Sequence, residues 1–186
     1  MSEINPAALE QREIRIFVTH CPASVRAAIY AVILSRILPV MDQFFDGDLG
    51  LREIQELLWA NAAGKDPALS RAAELRTHLE DVIGRLYDAD EQGYPMAAAK
   101  ALSAALCDLA PREWDVPEDC PFYVIELADC VQRGVGILEE ARWQSNFIRQ
   151  VGQLGVIDRA TLETLNVRAE WTNEFCRRHP TRMRFQ

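Results

Sequence analysis

LYDADEQGYPMAAAKALSAALCDL, residues 86–109, holds both the opening of a metal loop and the opening of a helix, and which of the two prevails decides the fold. Asp88, Asp90 and Gln92 stand two apart and Gly93 follows, as at the start of an EF-hand calcium loop. Such a loop closes on a bidentate Glu at its twelfth position, and counted from Asp88 that position is Ala99. The eighth and ninth positions are Pro95 and Met96, which bring no side-chain oxygen. Calcium would lack ligands, so the acidic half is expected to be a polar turn in which Gly93 takes an unusual backbone angle. Pro95 then opens a helix, because proline at a first helical position gives up no intrahelical hydrogen bond. Ala97, Ala98, Ala101, Ala104 and Ala105 let another helix approach closely, which makes 95–109 a candidate central helix.

The same punctuation recurs along the chain. Asn5-Pro6, Cys21-Pro22, Asp66-Pro67 and Cys120-Pro121 each precede a run with helical periodicity. Asn5 and Asp66 are the expected N-caps. The spacing predicts helices over 6–20, from 22 onward with a kink or break at Pro39, and over 49–62, 67–86, 95–109, 121–151 and 158–178. Val25, Ile29, Val32, Ile33, Ile37, Met41, Phe44 and Phe45 form the apolar stripe of the second. No window keeps the strict alternation of a half-buried strand. The expectation is an all-α fold, a single-domain bundle of about seven helices over 1–186 with an Arg-rich C-terminal tail at 177–186.

Composition narrows the function classes. The most apolar run, AAIYAVIL at 27–34, is far shorter than the roughly 18 residues a membrane span needs, so no membrane partner is expected. MSEINPAALE carries no basic region ahead of an apolar block, so no secretory signal is expected either. The five cysteines show no Cys-x-x-Cys pair and suit reduced, mostly buried thiols. The expected compartment is the cytoplasm.

Charge is uneven. The formal total is −8. Residues 91–140 hold ten acids against Lys100, Arg112 and Arg133, a net of −7, whereas 141–186 hold eight arginines against four acids, a net of +4. An acidic middle repels nucleic-acid phosphates and speeds encounter with a basic partner. The terminal arginines Arg177, Arg178, Arg182 and Arg184 are too short a stripe for a nucleic-acid reader.

Catalytic and cofactor motifs fail one by one. Asp46-Gly47-Asp48 fails the calcium test as Asp88 does. The Glu-x-x-His spacing of carboxylate-bridged metal bundles is absent. The three histidines, His20, His78 and His179, fall on three different predicted helices. Arg133-Gly134-Val135-Gly136 begins like a dinucleotide loop, yet Glu139 stands where the third glycine belongs and no strand precedes it. There is no nucleophile elbow and no phosphate loop, and the adjacent His20-Cys21 would point about 100° apart on a helix. No cofactor is expected. Of the four tryptophans, Trp114 stands out, alone in the acidic loop APREWDVPED at 110–119.

The stretch 28–109 resembles the YjaG-like family of small bacterial helical proteins. The resemblance rests on SRILPVMDQFF at 35–45, REIQELLWANAAG at 52–64 and the acidic connection and alanine-rich helix at 79–109. It departs from that pattern at Met41, where an aromatic is common, and in the carboxyl-terminal HPTRMRFQ. The resemblance implies an all-helical single domain and no catalytic residues.

The functional expectation is a non-catalytic acidic module that binds a basic protein, most concretely an immunity protein neutralising a bacterial toxin. Its expected contact surface is Asp88, Asp90 and Glu91 together with Glu113, Trp114, Asp115, Glu118 and Asp119. The rivals are a metal-dependent bundle enzyme using His20, His78 and His179, and a cytosolic scaffold.

Overall fold

The computed structural model describes residues 6–44, 50–89, 93–154, 158–165 and 169–178. Among them every regular element is a helix: α1 Pro6–His20, α2 Ala23–Phe44, α3 Leu51–Ala62, α4 Leu69–Asp88, α5 Tyr94–Ala105, α6 Asp119–Val131, α7 Val135–Leu154, α8 Arg159–Thr164 and α9 Glu170–Arg178. The all-α expectation holds, with nine described helices where about seven were expected.

Both extra helices come from breaks inside runs read as continuous. The expected helix 121–151 divides at Gly134, whose φ of 80° lies in the left-handed region. Asp129 Oδ1 accepts the Gly134 amide at 2.6 Å and closes the turn. Gly136 then lies so close to α6 that a Cβ on it would overlap the Ala128 carbonyl. The glycines of the apparent dinucleotide motif therefore turn the chain and let α7 pack back on α6. The expected helix 158–178 likewise divides into α8 and α9.

Pro39 breaks nothing. α2 runs through it as one helix, because Ile37, Val40 and Met41 are all buried around it and tertiary packing carries most of a helix's stability. By length and apolarity Ala23–Met41 could cross a bilayer. Here every residue from 27 to 34 is at most 1% exposed. α2 touches α3, α5, α6, α8 and α9, which is why it can be apolar on all sides. It shares the centre with α5, whose alanines, except the half-buried Ala104, are buried where it packs on α4, α6 and α2.

The proline-marked starts fall close to their expected places. Pro95 is within the first turn of α5, following Gly93 at φ 102°, and Pro121 sits in the first turn of α6, where its missing N–H has no intrahelical partner. Asp66-Pro67 is the exception. α4 begins at Leu69 with Ala68 before it, so Asp66 does not cap it. Asn5 and Asp46-Gly47-Asp48 lie outside the described residues.

Three arginines tie the bundle together. Arg36 of α2 meets Glu140 of α7 in the core. Arg26 of α2 forms a two-pronged pair with Asp108, at 2.7 and 2.8 Å, and donates to the Val18 carbonyl at the end of α1. Arg178 of α9 donates to the Val131 carbonyl at the end of α6.

Candidate functional site

The loop joining α5 to α6 carries most of the residues singled out by charge, and the fold holds it from several directions. Arg76 of α4, 2% exposed, donates to the Ala110 carbonyl at 2.7 Å and to both carboxylate oxygens of Asp115, one of them at 2.7 Å. Asp115 Oδ2 also accepts the Arg112 amide at 2.7 Å. The Arg112 side chain turns back to Glu80 of α4 at 3.2 Å. Farther along, the hydroxyl of buried Tyr30 donates to the Pro117 carbonyl. Glu118 pairs with Arg15 of α1 at 3.0 Å.

With its backbone fixed at these points, the loop projects what remains. Trp114 is 69% exposed and Val116 40% exposed, and Glu113 is exposed beside them. An exposed indole on a clamped loop gives up little conformational entropy when it is covered, which is the property of an interface anchor.

The acids expected to act together are thereby sorted. Asp115 and Glu118 spend their charge inside the protein, on Arg76 and Arg15. Asp119, in the first turn of α6, is half-buried, and among the described residues it has no cation partner. Burial pushes its carboxyl above the ordinary aspartate range, and the neighbouring Glu118 and Asp115 push it the same way. Asp88 is exposed at the end of α4, twelve residues past Arg76 and so about 18 Å along the helix axis. Asp90 and Glu91 lie outside the described residues.

Charge alone does not reveal a set of aromatics beside these acids. Tyr87, 57% exposed near the end of α4, and Tyr123 of α6 each have the Lys100 ammonium 5.5 Å from the ring centroid. Asp119, Tyr123 and Glu126 follow one another at four- and three-residue steps on α6, which places them on one stripe. That spacing was the available signal for Tyr123. Tyr87 lay within the segment taken as a polar turn.

The histidines do not assemble. His20 lines an open, largely apolar cleft with Ile16, Phe17, Cys21, Val25 and Val151, and its Nδ1 stands 2.7 Å from the Ile16 carbonyl. His78 lies on the outer side of α4 with Glu74 and Asp81, and His179 is outside the described residues. Among the described residues no three His, Cys, Asp or Glu side chains are grouped to hold a metal ion. Cys21, next to His20, has its thiol raised by burial and donates to the Val18 carbonyl, the opposite of an activated nucleophile.

Comparison with protein-family models, with curated proteins and with solved structures finds no match to the chain.

Proposed function

We propose that the protein is a non-catalytic, acidic protein-binding module of the cytoplasm that engages a basic partner, most concretely an immunity protein that neutralises a bacterial toxin. One observation carries the reading. Trp114 is 69% exposed, while the loop bearing it is clamped by Arg76, Arg112 and Tyr30. A large apolar ring left in water on a rigid mount has no folding role, whereas Trp at the centre of a covered patch is the commonest kind of binding hot spot. Glu113, Asp119 and Asp88 supply a negative surround suited to a basic surface. Asp90 and Glu91 belong to the same proposed surface by sequence. Asp115 and Glu118 contribute by holding the loop. From the sequence resemblance of 28–109 to YjaG-like proteins the reading takes the idea of a small bacterial helical domain without chemistry of its own.

The experiment is purification of the tagged chain from its native host, beside a Trp114→Ala control, with identification of what elutes. A toxicity assay of neighbouring genes with and without this one accompanies it. A basic protein held by the wild type and lost with Trp114→Ala, together with protection in the toxicity assay, is the expected result. No partner and no protection would overturn the reading.

A further inference from the structure

Three adjacent helices, α4, α5 and α6, bring two tyrosine faces and two carboxylates to one place. Lys100 Nζ lies 5.5 Å from the centroids of both Tyr87 and Tyr123, inside the roughly 6 Å range of a cation–π contact. The two rings thus already face a positive charge. Asp119 and Glu126 stand one step to either side of Tyr123 on the same stripe of α6. Both act electrostatically on the Tyr123 hydroxyl. Among the described residues neither carboxylate has an ion-pair partner. Among the described residues Lys100 is the cation at both rings.

A half-buried carboxylate kept without a counter-ion costs stability. Elsewhere among the described residues Asp108, Asp115, Glu118 and Glu140 are each matched with an arginine, and half-buried Asp129 is held by the Gly134 amide. Asp119 has neither an arginine nor an amide on its carboxylate among the described residues, and it stands one helical turn from half-buried Tyr123.

We propose that Tyr87, Tyr123, Asp119 and Glu126 form the seat for an arginine side chain of a basic partner, its guanidinium paired with Asp119 and stacked on a tyrosine face. Arginine fits better than lysine because its planar fork pairs with a carboxylate and stacks on a ring at the same time. Lys100 holds the rings in the free protein and yields them when the guanidinium enters. The seat rests on the reading of the protein as a binder of a basic partner and names which side chain of that partner it receives.

The test uses an acetylated, amidated hexa-arginine peptide titrated into the full chain by calorimetry at low salt, with hexa-lysine beside it. Hexa-arginine binds more tightly than hexa-lysine. Asp119→Asn weakens hexa-arginine binding about tenfold and Tyr87→Ala about threefold. Lys100→Gln tightens it about threefold by clearing the rings. Lys65→Gln makes the same change in net charge at an exposed position at the end of α3 and leaves binding nearly unchanged. Equal affinity of wild type, Asp119→Asn and Tyr87→Ala, equal tightening by the two lysine variants, or no hexa-arginine binding at all would overturn the seat. None of those results touches the Trp114 test with the native partner, so the two ideas fail separately.

Discussion

Arg36 and Glu140 stand 104 residues apart in the chain and meet in the core, Nη2 2.8 Å from Oε2, with their side chains 2% and 0% exposed. The carboxylate also accepts from Trp171 Nε1 at 2.9 Å and from Gln144 Nε2 at 3.1 Å. The guanidinium lies 3.7 Å from the centroid of Trp143. α2, α7 and α9 are thus locked at one point. Buried ions withstand desolvation only when paired and hydrogen-bonded. Glu140→Gln leaves Arg36 as an uncompensated charge and should cost about 3 kcal/mol, read as a lower urea midpoint. The double variant Arg36→Met with Glu140→Leu should recover only part of that loss, because Trp171 Nε1 then lacks its buried acceptor.

Two helical glycines should respond oppositely to the same change. Helix propensity alone favours alanine over glycine by about 1 kcal/mol. At Gly136 the added Cβ would meet the Ala128 backbone, so Gly136→Ala should destabilise by about 2 kcal/mol as α7 is pushed from α6. At Gly152 the nearest atom would be Phe17 Cε2 at 3.4 Å. Gly152→Ala should be neutral or stabilising by up to about 1 kcal/mol. Thermal unfolding of the pair decides it.

Asp119 gives a pH dependence whose sign is opposite to that of a salt-bridged carboxylate. Its pKa in the fold is raised, by burial first and then by Glu118 and Asp115. The folded state therefore holds this proton more tightly than the unfolded chain does. The group costs nothing below its unfolded value, near pH 3.9, and costs stability as pH rises through the folded value. Asp119→Asn should raise Tm at about pH 7 by about 1 °C, small because the side chain is only half-buried, and should leave it unchanged at about pH 3. Melting curves at the two pH values test this.

The thiols should fall into two classes. Cys107 and Cys120 are 7% and 0% exposed, and burial pushes the Cys107 thiol up to about 12 and the Cys120 thiol well up also. Cys21, Cys130 and Cys176 are half-buried. With a disulfide reagent at about pH 8 the native protein should label at those three and spare Cys107 and Cys120, while the chain in urea labels at all five. Rapid native labelling of Cys107 would contradict the burial of the turn that follows α5.

Much of the fold was legible along the chain. Prolines placed helix starts within about two residues at α2, α5 and α6, because a proline's missing N–H is harmless only in a first turn. The run 27–34 was recognised as core from apolarity alone. Pro39 leaves α2 unbroken, because burial on both sides of it outweighs one lost hydrogen bond. Gly134 and Gly136 act in the other direction: apolar periodicity continues across them from α6 into α7 and hides a turn that only left-handed backbone permits.

The candidate site was less legible. Counting acids marked the loop at 110–119 and Trp114 within it, but it could not distinguish Asp115, bound to Arg76 from 39 residues away, from Asp119, which has no such partner among the described residues. The sequence by itself determined most helix starts, the absent twelfth ligand of the calcium-like loop at Ala99 and the acidic middle of the chain, since each is read from the order of residues along the chain. Only the tertiary structure decided which charges are cancelled, which aromatics are left in water and which rings face Lys100. Those outcomes depend on contacts between residues 39, 87 or 104 positions apart, which no local period encodes, and on burial, which turns a matched charge into a clamp and leaves an unmatched one at a cost.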